Sequence, residues 1–370
     1  MRIAIDAREL DGRRTGVGRY LTHLLAGWNE LPEARGHEFL LYAPGTLDGL
    51  LPPVETLNVR VRHVPGHGGS WWEQAQLRAA LARDRPAVLY APAYTATLAT
   101  RVPVVLTVHD VSFLAHPEWY PPRVRLRRRI VTGMAARRAR TVLTDSQFSG
   151  REITALLGVP SDRVRVIPLA VTTPAALAGA PPAREPLVLY VGSIFNRRHL
   201  PVLIQAVARL APRYPTLRLA VVGENRTYPP EDLAEVARNA GIGGRVALTQ
   251  YVTDAELADL YSRARAFAFL SDYEGFGLTP LEALAAGVPV VVGDTDVARE
   301  VYADAACYVP TSDVHAVAVA LESILFDAAS REALLAAAGP VLRRCSWELV
   351  GRATLEVLLE AGEGGARGRG

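Results

Sequence analysis

Glu274-Gly-Phe-Gly-Leu-Thr-Pro-Leu-Glu282 is the stretch from which the fold of this 370-residue chain can be predicted. It follows an apolar run at 266–270, typical of a buried parallel strand, and it precedes a helical run that ends at a glycine. Its glycines allow the backbone to approach a ligand, and the amides of a helix that begins near Thr279 suit a phosphate. Carboxylates for hydroxyls beside amides for phosphate are the groups that a nucleotide sugar requires.

A structural explanation of the same residues is open. Thr279, Pro280 and Glu282 also fit a capping box, in which the threonine caps the helix and the glutamate bonds back to the cap amide. In that case Glu282 stabilises the helix and Glu274 is a solvated loop residue. Short motifs of this kind are hypotheses that the rest of the chain must support.

Apolar strand-like runs alternate with amphipathic helical stretches along the chain, which is typical of parallel α/β sheets. The predicted strands are 2–6, 39–42, 59–64, 87–90, 103–108, 141–144, 163–167, 187–191, 217–222, 245–249, 266–270 and 288–292. The fold class is therefore α/β, with two Rossmann-like domains facing a cleft, and ligands are expected beyond the carboxyl ends of the strands.

The predicted domain boundaries follow from composition. Residues 1–171 form an N-terminal domain, and the Pro- and Ala-rich stretch 172–186 is a linker. Residues 187–345 form a C-terminal domain. A helix is predicted at 346–360, and the glycine-rich stretch 361–370 is expected to be disordered.

Composition excludes several classes of protein. A hydrophobic content of 49% and a charged content of 21% are those of a globular protein, and no apolar run reaches the length of a membrane-spanning helix. The first residues are typical of a core strand and not of a signal peptide. Two cysteines are too few for a disulfide framework, so a cytoplasmic location is expected. All 41 basic residues are arginine, and the net charge of +3 is too small to indicate a nucleic-acid partner.

The chain resembles the GT-B glycosyltransferases of family 4, particularly their mannosyltransferase-B-like branch. The resemblance extends over nearly the whole chain, and the glutamate block is its most specific part. It implies that 1–171 is the acceptor-side domain, that 187–345 is the nucleotide-sugar-binding domain and that the helix at 346–360 packs back on the N-terminal domain. The matching blocks are DARELDGRRTGVGRYL at 6–21, TVHDVSFLAHPEWYPP at 107–122, LTDSQFSGREI at 143–153, RVRVIPL at 163–169, YVGSIFNRRHLPVLIQA at 190–206, EGFGLTPLEALAAGVPVV at 274–291 and CSWELVGRATLEVL at 345–358.

The resemblance implies a role for each residue of the glutamate block. Glu282 would bind the ribose hydroxyls of the donor, and Glu274 the hydroxyls of the donor sugar. The backbone amides of Phe276, Gly277 and Leu278 would face the sugar and the diphosphate, next to Thr279 at the start of the helix. Ionised carboxylates accept hydroxyl hydrogen bonds well, and each charge-assisted bond contributes about 1.5–3 kcal/mol.

Other blocks imply further site residues. Arg197 and Arg198 stand where family members carry arginine followed by lysine against the diphosphate, and arginine can bind phosphate oxygens with two N–H groups. Gly16 stands in the family's glycine loop, beside the diphosphate and the acceptor. His109, at the end of a strand, would donate to the sugar or orient the acceptor hydroxyl. The alternatives are a solvated arginine pair, a simple turn and a structural histidine.

Asp294-Thr-Asp296 resembles a metal-binding D-x-D motif. GT-B enzymes usually act without a metal, so we interpret Asp296 as the N-cap of the following helix and predict no metal site. No cofactor is predicted either, because the nucleotide diphosphate sugar is the substrate.

The basic stretch 123–140 has two interpretations, as does the pair Trp71-Trp72. In one interpretation the basic stretch is a helix that lies against the inner face of an anionic membrane, which would suit a lipid-linked acceptor. In the other it is an ordinary domain helix whose solvent face is arginine. The tryptophans either stack on the acceptor sugar or fill the core, and the sequence leaves both open.

The resemblance therefore implies a retaining, metal-independent hexosyltransferase, with mannose as the favoured sugar, that acts on a glycan or lipid-linked acceptor in cell-surface polysaccharide synthesis. Two alternatives belong to other classes. A sugar-nucleotide-modifying Rossmann enzyme should carry a full G-x-G-x-x-G motif near its start, and this chain does not. A non-catalytic glycan-binding protein would have little use for both glutamates, the arginine pair and His109 together.

Overall fold

The computed structural model describes residues 1–12, 16–172 and 184–367, with side chains up to residue 364. The chain divides into two compact units, one of Met1–Leu169 with Ser346–Gly370 and the other of Ala170–Cys345. Most of the linker predicted at 172–186 lies outside the described residues, and its last part belongs to a strand that begins at Glu185.

The first unit is a parallel sheet of seven strands covered by helices, in the order β3-β2-β1-β4-β5-β6-β7. Its strands are β1 Arg2–Asp6, β2 Glu38–Ala43, β3 Asn58–His63, β4 Val88–Ala91, β5 Val104–Thr107, β6 Thr141–Thr144 and β7 Val164–Val166. Its helices are α1 Gly16–Glu30, α2 Arg78–Asp84, α3 Ser112–Ala115, α4 Pro122–Arg138, α5 Gln147–Glu152 and α13 Trp347–Arg367, with π-helical turns at Trp72–Leu77 and Ile153–Leu157.

The central strands of this sheet are buried on both faces, which explains their continuous apolar sequences. Helix α1 buries Leu21, Leu24, Leu25 and Trp28, whose spacing places them on one face of the helix. The Trp28 indole N–H donates to the carbonyl of Gly351 at 2.8 Å. Helix α13 is thereby attached to α1 within the first unit.

The prediction of a disordered tail from residue 361 is wrong for the part that the structure describes, because α13 continues to Arg367. Leu358 and Ala361 are buried, and a β-carbon on Gly362 would lie 2.6 Å from the Met1 sulfur. Packing against the start of the sheet stabilises this turn of helix despite its glycines, since tertiary contacts override weak helix propensity.

The second unit is a parallel sheet of six strands in the order β10-β9-β8-β11-β12-β13. Its strands are β8 Glu185–Val191, β9 Arg218–Val222, β10 Val246–Thr249, β11 Ala264–Phe269, β12 Val290–Gly293 and β13 Ala306–Val309. Its helices are α6 Leu200–Leu210, α7 Leu233–Asn239, α8 Asp254–Arg263, α9 Leu278–Ala285, α10 Asp296–Tyr302, α11 Val314–Phe326 and α12 Ala328–Arg344. Strand β13 was not predicted, because it is a short edge strand with two half-exposed residues.

Candidate functional site

The order of strands in the second unit reverses between β8 and β11, which pair directly. Doubly wound sheets bind ligands at this switch point, where the loops that follow the two strands diverge. Arg197 and Arg198 lie in the turn after β8, and Glu274 lies in the loop after β11. The fold therefore brings these predicted residues to one place on the sheet edge.

Arg198 and Glu274 form a largely enclosed ion pair. The Nε and Nη2 atoms of Arg198 each lie 2.8 Å from Oε1 of Glu274, and the two side chains are 12% and 16% exposed. The same oxygen accepts from the Ser271 hydroxyl at 2.8 Å. Burial alone would lower the pKa of Arg198, but the Glu274 carboxylate outweighs it and raises that pKa. The guanidinium is therefore a permanent positive charge in a fixed position.

Backbone geometry around Arg198 also holds it in place. Its Nη1 atom donates to the Ser193 carbonyl at 2.6 Å, and its guanidinium carbon lies 4.7 Å from the ring centre of Phe269. Gly192 has a φ of +137°, and a β-carbon there would lie 3.0 Å from Nη1. The neighbouring Arg197 guanidinium lies over the Phe195 ring at 4.3 Å. Aromatic contacts thus order both arginines, and a backbone carbonyl also holds Arg198.

Helix α9 begins differently from the capping-box alternative. Its N-cap is Gly277, with a φ of +90°, and no side chain caps it. The Glu282 carboxylate instead accepts from the Tyr261 hydroxyl at 3.2 Å. Burial, and then the Glu282 carboxylate, raise the pKa of Tyr261 well above its usual value. The capping-box explanation of Glu282 is therefore wrong, and this carboxylate is positioned by the neighbouring helix α8.

The turn before α9 requires glycine at its last position. A β-carbon on Gly277 would lie 2.1 Å from the Tyr302 hydroxyl, which donates to the Gly277 carbonyl at 2.6 Å. The amides of Leu278 and Thr279 lie in the first turn of the helix, where intrahelical acceptors are lacking. The Thr279 hydroxyl is enclosed and has no hydrogen-bond partner among the described residues. The amides of this turn could therefore donate hydrogen bonds to a phosphate or sugar oxygen.

In the first unit, His109 follows β5 at the carboxyl edge of the sheet. Its Nδ1 lies 2.8 Å from a carboxylate oxygen of Asp145, which follows β6, and its Nε2 lies 3.2 Å from the carbonyl of Pro92, which follows β4. Burial alone would lower the pKa of His109, but Asp145 and Asp110 outweigh it and raise that pKa. The rings of Tyr20 and Tyr94 meet the imidazole edge-on.

Comparison with known proteins shows the family of this chain. Residues 14–173 match the Glycosyltransferase Family 4 domain, and residues 178–338 match the domain described as Glycosyl transferases group 1. The O-antigen chain mannosyltransferase B of Escherichia coli is 32% identical over 256 residues, which are 66% of this chain and 67% of that protein. The chain belongs to glycosyltransferase family 4.

Two further similarities fit a family 4 enzyme. Glycogen synthase of Mycobacterium tuberculosis is 29% identical over 268 residues, which are 71% of this chain and 64% of that protein. Anabaena Alr3699/HepE, solved in complex with UDP-glucose, superposes with a TM-score of 0.72 at 19% identity, over 97% of this chain and 100% of that one. The fold is thus that of the GT-B glycosyltransferases, and the family match makes the chain a hexosyltransferase.

Several residues of this family 4 enzyme that belong to the site architecture were not predicted. Asp145 lies in the quoted block 143–153, one residue beyond β6, so its position after a strand was the available signal. Tyr261 and Tyr302 lie on helices, where nothing in the local sequence distinguishes them from ordinary core aromatics. Only the packing of α8 and α10 brings them to Glu282 and Gly277.

The structure also describes Gly16, the pair Trp71-Trp72 and the lengths of the helices. Gly16 is exposed at the start of α1, and a β-carbon there would meet no atom within 4 Å, while residues 13–15 of its loop lie outside the described residues. Trp72 is buried in the core and Trp71 is 77% exposed. No helix in the described part of the chain is both long enough and apolar enough to cross a membrane.

The D-x-D segment is occupied by protein contacts. Both carboxylate oxygens of Asp294 accept from Arg299, at 2.6 and 2.7 Å. Helix α10 is capped by Thr295, whose hydroxyl accepts from the Ala298 amide, so the prediction of Asp296 as the N-cap is wrong by one residue. The extended backbone that a cap requires is at Thr295, and Asp296 is the first helical residue. Among residues 1–12, 16–172 and 184–367, no cluster of three or more potential metal ligands occurs.

Proposed function

We propose that this enzyme transfers a hexosyl group, with mannose favoured, from a nucleotide diphosphate sugar to a glycan or lipid-linked acceptor in cell-surface polysaccharide synthesis. The observation that carries the proposal is the enclosed Arg198–Glu274 pair beside the uncapped start of α9. It offers fixed positive charge and free amides for a diphosphate, with a carboxylate for sugar hydroxyls. The similarity to the Escherichia coli mannosyltransferase supports mannose as the sugar.

The proposed reaction retains the anomeric configuration and uses no metal ion. The bond from the anomeric carbon to the phosphate oxygen breaks, and the acceptor oxygen bonds to the same face of that carbon. The acceptor proton passes to the departing phosphate oxygen. Arg197, Arg198 and the first-turn amides of α9 stabilise the charge that develops on the leaving group, which is the largest effect available to such a site.

Arg198 can serve the diphosphate while it remains paired with Glu274. Its contacts with Glu274 and the Ser193 carbonyl use three N–H groups, and an arginine has more donors than these. The pair also keeps Glu274 ionised and oriented, so that the carboxylate can accept from sugar hydroxyls. In the first unit, His109 would contact the sugar or the acceptor hydroxyl.

Turnover with a panel of nucleotide diphosphate sugars and a candidate acceptor, with and without a chelator, tests this function. We expect product only from a nucleotide diphosphate hexose and an unchanged rate in the chelator, because arginines and amides neutralise the leaving group. Strong inhibition that manganese or magnesium restores would return Asp294 and Asp296 to the site and contradict the metal-free mechanism. Product with inverted configuration would contradict retention.

We also propose that the first half of α4 contacts an anionic membrane surface. Val124, Leu126 and Ile130 are 42%, 57% and 47% exposed, so this half of the helix does not bury the apolar stripe that an ordinary domain helix buries. Arginines 123 and 127–129 are exposed around them. The exposed Trp71 adjoins this surface, because Arg127 donates to the Ser70 hydroxyl at 3.1 Å. Exposed apolar side chains among arginines suit anionic lipid headgroups.

Vesicle co-sedimentation measures this contact. We expect binding to vesicles that contain anionic lipid, weaker binding to zwitterionic vesicles, and loss of binding in the double variant Leu126→Gln/Ile130→Gln. Val319→Gln is the matched control, because Val319 is 53% exposed on a helix of the other unit. Equal binding to both kinds of vesicle, or full binding by the double variant, would contradict the proposal.

A further inference from the structure

The two ring nitrogens of His109 both face oxygens. One is the Asp145 carboxylate at 2.8 Å, and the other is the Pro92 carbonyl, which can only accept, at 3.2 Å. A neutral imidazole has one N–H and one bare nitrogen, so it can donate to only one of them. If Asp145 is ionised, the bare ring nitrogen would then point its lone pair at a lone pair of the second oxygen, which is unfavourable. A second proton on the ring turns both contacts into hydrogen bonds.

The surroundings of the ring favour that second proton. Asp145 is 4% exposed, and an enclosed carboxylate is stable only with a partner that offsets its charge. Asp110, the next residue after His109, adds a second negative group and accepts from the Tyr94 hydroxyl at 2.9 Å. Tyr20 from α1 and Tyr94 from the loop after β4 contribute ring edges at 6.2 and 5.6 Å. Among the described residues of the first unit, the carboxyls of Asp145 and Asp110 and the phenols of Tyr20 and Tyr94 surround His109.

We propose that Asp145 is a positioning residue that holds His109 as an imidazolium at neutral pH. His109 then acts as a fixed cation and N–H donor toward an oxygen of the substrate, and it does not act as a proton acceptor. The Nε2 contact with Pro92 is long, so a sugar hydroxyl or phosphate oxygen can share that hydrogen. The expected effect on the reaction rate rests on the proposed function, whereas the protonation state of His109 does not.

The direction of the pH effect follows from the causes of the pKa shift. Burial lowers the pKa of His109, and the acidic neighbours raise it above its usual value. In Asp145→Asn the main raising cause is absent while burial remains, so we expect the ring to lose its charge at a lower pH than in the parent. In the parent enzyme the charge is lost only as the pH rises through the raised pKa.

Nitrogen NMR of protein labelled with ¹⁵N-histidine measures the protonation state without any substrate. The His109→Gln variant assigns the signals. At pH 7.5 we expect both nitrogens of His109 to show the imidazolium pattern in the parent and the neutral pattern in Asp145→Asn. A parent ring with one bare nitrogen at that pH, which includes the case of the proton residing on Asp145, would overturn the proposal even if the enzyme is fully active.

The rate profile from pH 6 to pH 9 tests the consequence for catalysis. In Asp145→Asn we expect kcat to fall about tenfold per pH unit above the lowered pKa and to approach the parent value at low pH. Glu118→Gln is the matched control, since it removes a carboxylate 3.1 Å from the exposed His116 and should leave the rate and its profile unchanged. A rate reduced by the same factor at every pH would mean that Asp145 has only a structural role, and it would overturn the kinetic part.

Discussion

Glu274→Ala is expected to lower the stability of the protein and its kcat together. The change leaves the Arg198 guanidinium enclosed without its carboxylate, and breaking a buried pair in this way costs about 3–5 kcal/mol. We expect about 3 kcal/mol, the lower end, because the two side chains keep 12% and 16% exposure. Chemical denaturation measures the loss of unfolding free energy, and steady-state kinetics with one donor measures kcat.

Variants of Arg198 distinguish the effect of its positive charge on catalysis from the effect of its planar guanidinium geometry. Arg198→Ala should lower both kcat and kcat/KM, because the leaving-group charge is largest in the transition state. Arg198→Lys should restore much of the rate, since lysine is the usual family residue at this position and keeps the positive charge. The double variant Arg198→Ala/Glu274→Ala should recover part of the lost stability but none of the lost rate.

The chain offers a matched control for this pair. Arg263 and Glu185 also form an ion pair at 2.8 Å, but their side chains are 39% and 44% exposed. Arg263→Ala should therefore cost about 1 kcal/mol or less and leave turnover unchanged. If Arg198→Ala behaves like Arg263→Ala in both measurements, the enclosed Arg198 does not contact the diphosphate, which is then held by Arg197 and the backbone.

Glu282→Ala is expected to weaken the binding of the donor nucleotide by about 1.5–3 kcal/mol, or roughly ten- to a hundredfold. The physical reason is the loss of charge-assisted hydrogen bonds to the ribose. Glu282→Gln should lose less nucleotide affinity than Glu282→Ala. Tyr261→Phe should lose the least affinity, because it removes only the hydroxyl that lies 3.2 Å from the Glu282 carboxylate and orients it. Titration calorimetry with the nucleoside diphosphate measures all three.

A true helix cap provides the control for Glu282. The Asp327 carboxylate accepts from the amides of Ala329 and Ser330 at the start of α12. Asp327→Ala should lower the stability of the protein and leave nucleotide affinity unchanged. If Glu282→Ala gives that same pattern, its carboxylate is a structural partner of Tyr261 and does not bind ribose.

The strands and their general order along the chain could be predicted from sequence, and each predicted strand overlaps an observed one. Buried parallel strands are short continuous apolar runs, and this signal is local. It failed for β13, where Cys307 and Tyr308 are half-exposed at the sheet edge. It also failed at the tail, where contacts with Met1 and the sheet extend α13 beyond its apolar repeat.

Candidate site residues of the second unit could be named from the sequence, but the contacts between them could not be predicted. Glu274, Glu282 and the arginine pair were named from motifs, and α9 begins at Leu278, one residue before the predicted Thr279. Only the capping-box alternative fails, and it arose because Thr279-Pro280 has the composition of a capped helix. Tyr302 decides the observed start, since its hydroxyl occupies the space that any side chain at position 277 would need. A contact between α9 and α10 cannot be predicted from the local sequence of either helix.

The α/β class and the family could be predicted from the sequence, and so could a set of candidate site residues, because these depend on local periodicity and short motifs. The pairing of Arg198 with Glu274 and of His109 with Asp145 depends on the tertiary structure. The partners lie far apart along the chain, and they meet because they follow strands that are neighbours in a sheet. Strand order is set by the packing of all the layers together, so no local pattern encodes it.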